Sequence, residues 1–461
     1  MQEILAKVLR RIKPTPEDEA KVKKISEELL KEVEEVARNL NVQVKPLLVG
    51  SVARGTWIRS ERDIDIFLLF PQELSVEALE TLGLRVARGV SKGKGKERFA
   101  EHPYLHTKRD GFDVDLVPCY DIQDPRKIKS SVDRTPHHQR YVEKKLDEGL
   151  KDQVLLLKQF FTGIGVYGAE SKIMGFSGYL CELLILHYRS FENFIKGAGR
   201  WEPGEVIDLE KRYETAEEAR RMFERDPLIV VDPVDPGRNV AAAVSTQNFA
   251  TVIQACRDFE KAPSIKFFFP TKPKLFQPQD LQRAIKKRET HLFCIYFRHP
   301  ELVEDIIYPQ LRKTEKAIVA RLVQHGFEVF RSDVWADERN GAILLELPLL
   351  KLPAVQVRPG PVLPRDASSF IEEHRGSPRV LAGPFIDNAG RVVFEMGRAE
   401  SDASSLLRRI ISEKIGFGKH VAACLDRYQL LQDMMIAKTF KNRGFRMFVS
   451  EFFQKQLPWY R

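Results

Sequence analysis

The sequence predicts a multidomain α+β chain: a head with a small mixed sheet, a helical neck, an α+β body and a mostly helical tail. Three observations carry that expectation. At 461 residues the chain exceeds one core of ordinary size, and about three domains are expected at roughly 150 residues each. Its apolar residues alternate between the three-and-four spacing of helices and the short continuous runs of buried strands. No stretch approaches the ~18 uninterrupted apolar residues that a membrane span requires. The expected boundaries are 1–143 for the head, 144–263 for the neck, 264–365 for the body and 366–461 for the tail.

Taken in order, Thr15-Pro16-Glu17-Asp18 reads as an N-cap followed by proline at the first helical position and acids in the first turn. Val22, Ile25, Leu29, Val33, Val36 and Leu40 then form one apolar helical face. Residues 42–49 read as a strand ending at Gly50-Ser51, and 64–70 as a second. A helix is expected over 75–87, followed by a Gly/Lys-rich loop over 89–96. Strands at 104–108 and 112–117 flank Arg109-Asp110-Gly111, a hairpin signal. The neck shows helical patterning at 154–161 and 178–194, with the glycine-punctuated segment 163–168 between them. From about residue 264 the pattern becomes β-α-β-β: strand 293–297, helix 308–325 and strands 327–330 and 342–347. A proline-rich stretch at 359–364, a short helix, a hairpin near Asp387-Asn388-Ala389-Gly390 and a helical tail complete the chain.

Composition narrows the function classes. Lys and Arg number 74 against 65 Asp and Glu, and the resulting formal charge of +9 favours an acidic partner such as nucleic acid. Cys119, Cys181, Cys256, Cys294 and Cys424 are odd in number and scattered, with no C-x-x-C pair. That argues against a zinc site or a disulfide framework and suits a reducing cytoplasm. The start, Met1-Gln2-Glu3-Ile4-Leu5, lacks a secretion signal's apolar segment. A cytoplasmic protein without a membrane partner is expected.

The chemistry concentrates in Gly50-Ser51, Asp63-Ile64-Asp65 and Asp113-Val114-Asp115. In a strand, residues i and i+2 share a face, so Asp63 and Asp65 point the same way while Ile64 and Ile66 enter apolar packing. Adjacent carboxylates repel unless a cation lies between them. A third, from a neighbouring strand, completes an oxygen-rich site suited to Mg²⁺. Two such ions, ~3.5–4 Å apart, support in-line displacement at phosphorus. The Gly-Ser turn offers backbone donors and a hydroxyl to a triphosphate. Taken singly, an Asp-x-Asp is usually a solvated strand end and Gly-Ser a turn. The ordered set matters because the aspartates interrupt otherwise apolar strands. Asp113 shares the face of Asp115, and whether it ligates or faces solvent is left open.

Gly50-Ser51-Val52-Ala53-Arg54-Gly55-Thr56 followed by Asp63-Ile64-Asp65-Ile66-Phe67-Leu68 resembles the nucleotidyltransferase superfamily that includes DNA polymerase beta and poly(A) polymerases. Ala100-Glu101-His102-Pro103-Tyr104, Asp113-Val114-Asp115-Leu116-Val117-Pro118-Cys119-Tyr120 and Ser131-Val132-Asp133-Arg134-Thr135-Pro136 narrow it to the archaeal-type (class I) CCA-adding enzymes. So do Ile164-Gly165-Val166-Tyr167-Gly168-Ala169-Glu170, Gly175-Phe176-Ser177-Gly178-Tyr179-Leu180-Cys181-Glu182, and Val231-Asp232-Pro233-Val234-Asp235 with Arg238-Asn239-Val240-Ala241. The likeness is continuous over the first ~265 residues and weaker in the last hundred.

The resemblance implies untemplated addition of C, C and A to the tRNA 3′ end from CTP and ATP, with two Mg²⁺ ions held by Asp63, Asp65 and Asp115. Asp63 stands where the family pattern has Glu, with a shorter reach and the same charge. It also implies a nucleotide pocket of Ser51, Arg54, His138, Lys158 and Tyr167, with His102 and Thr135 as further neighbours. Arg238 would read the base edges of C and A, and the acceptor and T arms of tRNA would lie on body and tail. A homodimer is the family's common assembly.

Blander roles stand beside these: Arg54 pairing a carboxylate, Lys158 on a wet helix face, and Tyr167 covering a helix end. Arg238 would then cap the helix expected after Val240 or pair with Asp235. His137 beside His138 leaves that position ambiguous. The tail mixes six Lys/Arg over residues 438–461 with seven aromatics, which suits either RNA contact or a core helix. The rival functions are another nucleotidyltransferase, such as a poly(A) or oligoadenylate polymerase, and a catalytically silent RNA-binding relative.

Overall fold

The computed structural model describes residues 1–99 and 101–461; Ala100, within the Ala100-to-Tyr104 motif, lies outside the described residues. The chain divides into two compact units, Met1–Lys272 with Gln456–Arg461, and Pro273–Lys455.

The first unit begins with α1 (Gln2–Ile12) and α2 (Pro16–Asn39), whose start is a capping box between Thr15 and Asp18. Strand β1 (Lys45–Val49) leads directly into the short helix α3 (Gly50–Arg54), and β2 (Asp63–Phe70) follows. Helix α4 (Val76–Val90), capped by Ser75, then precedes β3 (Lys96–Phe99), β4 (Pro103–Arg109) and β5 (Phe112–Tyr120). The sheet order is β1-β2-β5-β4-β3, with β2 and β5 parallel and the other pairs antiparallel. Ile64, Ile66, Leu68 and Phe70 alternate into a core with Val114, Leu116 and the apolar faces of α2 and α4. The opposite face carries the aspartates at the starts of β2 and β5 and, beyond them, a smaller apolar cluster of Val49, Phe67, Leu69 and Cys119.

Helices α5 (Thr135–Lys145), α6 (Glu148–Ile164), α7 (Gly178–Tyr188) and α8 (Phe191–Ala198) follow. A two-stranded parallel pair, β6 (Glu205–Ile207) and β7 (Leu228–Val230), encloses α9 (Ala216–Met222), and α10 (Thr246–Lys261) closes the helical part. Its core is a phenylalanine cluster, with Phe160, Phe161, Phe191, Phe194, Phe259 and Phe268 all buried. Trp459 returns to this core: it stacks on Phe267 at 5.3 Å and donates to Asp258 Oδ2 at 3.0 Å.

The second unit comprises α11 (Pro278–Arg288), β8 (His291–Arg298), α12 (Glu304–Gln324), β9 (Arg331–Ala336) and β10 (Asn340–Leu347). Next come β11 (Val355–Val362), α13 (Ser368–Arg375), β12 (Val380–Ile386) and β13 (Arg391–Gly397). It ends with α14 (Ala403–Glu413), α15 (Lys419–Cys424), β14 (Tyr428–Gln432) and α16 (Arg443–Phe453). Its four-stranded sheet, β14-β8-β10-β9, is covered on both faces. Phe293, Ile295 and Phe297 of β8 face α12 and α14, and Leu292 and Cys294 face a core that includes Phe445, Val449 and Phe452 of α16. The tail aromatics are therefore mainly packing residues, while Lys438, Lys441 and Arg443 remain exposed.

Three local expectations change, the first being the helix expected over 178–194, which breaks at Arg189, with φ +63°, into α7 and α8. The strand expected over 327–330 instead runs Arg331–Ala336, because its ladder with β10 begins where Arg331 meets buried Glu346. The proline-rich stretch belongs to the edge strand β11, where prolines forfeit few ladder bonds. Among the described residues no helix is long and apolar enough to cross a membrane.

Candidate active site

The parallel register sets Asp63 beside Asp113 and Asp65 beside Asp115, so the carboxylates of the two strands share the sheet face opposite the apolar core. On the other side of β2, Val49 pairs with Asp65, which brings the Gly50-Ser51 turn against the same carboxylate. Gly50 has φ +81°, and a Cβ there would stand 2.2 Å from Asp65 Oδ2. Only glycine permits that approach.

Crowding shows in the electrostatics. Burial, then the charges of Asp115 and Asp63, raise the Asp65 carboxyl from 3.8 to about 7. Asp63 is raised by burial and by Glu61, Asp113 and Asp115. Two of the carboxylates also meet basic groups of β4. Asp115 Oδ1 meets His106 Nδ1 at 2.6 Å, and Asp113 Oδ1 lies 3.2 Å from His106 Nε2 and 3.1 Å from Lys108 Nζ. Among the described residues no three acidic, histidine or cysteine side chains converge closely enough, as placed, to hold a metal ion. The donor set still fits a divalent cation, because burial, and after it the charges of Asp115 and Asp63, make ionised Asp65 costly, and a hard cation would offset both.

Around this face the other expected residues fall into two buried clusters. Arg54 donates through Nε to Glu182 Oε1 at 2.8 Å and through Nη1 to Gln139 Oε1 at 2.7 Å. Thr56 Oγ1 donates to the same Glu182 oxygen at 2.6 Å, and buried Oε2 has no hydrogen-bond partner among the described residues. Arg54 thus pairs a carboxylate and ties α3 to α7. Lys158 is 1% exposed, with Nζ 3.3 Å from Glu61 Oε2 and 5.9 Å from the Tyr167 ring centroid. A wet helix face is excluded for Lys158. Burial and the neighbouring Glu61 carboxylate hold the Tyr167 phenol well above its ordinary value.

In the second cluster His138 Nε2 lies 2.8 Å from Asp232 Oδ2, and its ring stacks on Tyr179 at 4.1 Å. Arg238 Nη1 donates to the same Asp232 oxygen at 2.8 Å with its side chain 38% exposed. Burial opposes charge on Asp232, but the bonds from His138, Val234 N–H and Arg238 outweigh it and lower the carboxyl. Arg238 therefore pairs with Asp232 rather than Asp235, which takes Arg134 at 2.8 Å, and Ser245 caps α10. His137, also buried, has no such partner at Nε2 among the described residues, which separates the two histidines. His102 packs against Glu80 at 3.1 Å, Thr135 opens α5, and Ser51 is half-buried in α3.

Four residues here escaped the sequence reading: His106, Glu61, Glu182 and Asp232. His106 was within reach, since a two-residue turn at Asp110-Gly111 pairs residue 106 with 115 and 108 with 113. Glu182 was signalled by its place inside the apolar run of α7.

Three family models match successive parts of the chain: a nucleotidyltransferase domain over 23–138, the second domain of tRNA nucleotidyltransferase over 152–269, and the C-terminal domain of CCA-adding enzyme over 288–433. A relative named CCA-adding enzyme in Methanosarcina acetivorans is 40% identical over 448 residues, 96% of each chain. Its namesake in Archaeoglobus fulgidus is 37% identical over 93% of this chain and 94% of that one. The Haloarcula marismortui protein of the same name is 36% identical over 94% and 95%. Among solved structures, the Cid1 poly(U) polymerase bound to Mg and 3′-dATP aligns over 57% of this chain and 94% of its own, with TM-score 0.46 and 14% identity.

Proposed function

From the chain's membership of the CCA-adding enzyme family, to which it belongs on near-full-length likeness, we propose how its own residues carry the reaction. The protein is a tRNA nucleotidyltransferase that adds C, C and A to the tRNA 3′ end from CTP and ATP. The observation that carries the site assignment is the register of β2 and β5, which aligns Asp63, Asp65 and Asp115 on one sheet face beside the Gly50-Ser51 turn.

In this reading Asp63, Asp65 and Asp115 would hold two Mg²⁺ ions, and Asp115 would bind the one that serves the attacking 3′-hydroxyl. When bound, the ions supply charge neutralisation for the attacking and leaving oxygens. Ser51 and the backbone at Gly50 receive the triphosphate. Lys158 and Tyr167, held beside Glu61, supply a cation and a phenol to phosphate and ribose. Arg54 acts through α3: its bonds to Glu182 and Gln139 fix the turn that carries Ser51.

Base choice falls to Arg238. Asp232 fixes one edge of its guanidinium, and the remaining N–H groups are left to meet acceptors on cytosine and adenine. His138, on the same carboxylate, steadies that arrangement. Acceptor and T arms on the second unit, a homodimer and a cytoplasmic setting complete the proposal.

The test supplies tRNA lacking its 3′ CCA with each labelled nucleoside triphosphate, singly and together. Addition confined to C, C and A is expected. Runs of A would instead indicate a poly(A)-type polymerase, and no transfer a silent RNA-binding relative.

A further inference from the structure

The polar sheet face does not end at the carboxylates. Antiparallel pairing sets Lys108 against Asp113 and His106 against Asp115, then Lys96 against His106 and Arg98 against Tyr104. Directly paired residues share a face, so one surface runs from the central carboxylates through β4 to Lys96 and Arg98 on the edge strand. A cavity of about 750 Å³ opens along it, with Asp63 and Asp113 at one end and Lys94, Lys96, Arg98 and Lys108 around the rest. Edge strands often carry lysine merely to discourage pairing with other chains. Here the cations are sorted by face instead: intervening Glu97 points away and pairs with Arg88, while Lys96 and Arg98 face the carboxylates. Arg98 is steadied by a hydrogen bond to the Tyr104 phenol, and the loop before β3 is pinned by Thr107 Oγ1 donating to Lys94 O at 2.8 Å.

The Gly50-Ser51 turn lies past β1, on the far side of the carboxylates from this strip. In-line displacement requires the attacking and leaving oxygens to lie on opposite sides of the phosphorus. A triphosphate whose pyrophosphate leaves toward β1 is therefore attacked from the β4–β3 side. We propose that Lys94, Lys96, Arg98 and Lys108 form a phosphate track that holds the last single-stranded phosphodiesters of the RNA 3′ end. This inference rests on the nucleotidyltransferase reading above and adds the primer's path to it.

The test is direct binding by the full chain of two labelled transcripts: tRNA ending just before the CCA, and the same tRNA trimmed by three further 3′ nucleotides. The double variant Lys96→Ala/Arg98→Ala is expected to bind the first about tenfold more weakly. Its log K against log salt should be shallower by about 1.4, at about 0.7 for each single-strand phosphate that the variant no longer neutralises. The trimmed transcript should be bound equally by variant and wild type, and the KM for CTP should stay within about twofold. Lys96→Arg/Arg98→Lys should restore binding. Equal weakening on both transcripts, no weakening on the first, or a raised CTP KM alone would each overturn the track. A wild type that adds neither C nor A would overturn the underlying function, whatever the binding shows.

Discussion

Replacing Asp65 by Asn should stabilise the metal-free protein at alkaline pH and have no such effect near pH 4. The carboxyl ordinarily ionises near 3.8 and here near 7, raised by burial and then by Asp115 and Asp63. Between those values the unfolded chain holds fewer protons at this position than the folded one, so stability falls as pH rises and levels off above 7. Each pH unit in that window costs about 1.4 kcal/mol, giving a ceiling of about 4 kcal/mol. Partial contact with water reduces this to about 2 kcal/mol. Asn keeps the shape and removes the charge. Thermal melts in chelator should place Asp65→Asn roughly 4–8 °C above wild type at pH 8, with the gap closing toward pH 4. Added Mg²⁺ should raise the wild type and leave the variant nearly unmoved. An offset that is the same at pH 5 and pH 8, or a variant less stable than wild type at pH 8, would refute the reasoning.

Glu182→Ala strands Arg54 and Thr56 without their carboxylate; a loss of about 3–5 kcal/mol is expected in denaturant titration. Repairing the site with the apolar pair Arg54→Met/Glu182→Leu should recover most of that stability, whereas an unrecovered loss would mean the pairing is not the cause. Asp232→Asn should weaken the hold on Arg238 and His138, so discrimination of CTP over UTP should fall about tenfold, the equivalent of about 1.4 kcal/mol. Competition assays on tRNA lacking CCA measure it, and unchanged discrimination would detach Arg238 from base choice.

Local chemistry made much of the head legible in advance. The Thr15 cap, the apolar run of β2 and the Asp110-Gly111 turn each act over a few residues, and each lies where it was expected. What stayed hidden depends on partners far apart in sequence. Lys158 reads as a wet lysine until Glu61, distant in the chain, is brought to it. Arg238 could have paired with Asp235 on proximity, yet Arg134 takes that carboxylate and Asp232 takes Arg238. The start of β9 is set by Arg331 meeting Glu346, an ion pair that hydrophobic pattern does not report. Spacing in the tail could not separate core from RNA contact, and burial of Phe445 and Phe452 assigns those aromatics to packing.

The most direct measurement is single-turnover addition of labelled C to tRNA lacking its CCA by Asp115→Ala, paired with tRNA binding by the same protein. Asp115 sits in register with Asp65 and among the described residues meets only His106 as a close polar contact, so its removal should spare the fold. The expected result is incorporation reduced by at least about a thousandfold, ~4 kcal/mol of barrier, with tRNA affinity within about twofold of wild type. Incorporation at the wild-type rate would contradict the assignment of Asp63, Asp65 and Asp115 as the reaction's shared carboxylate centre.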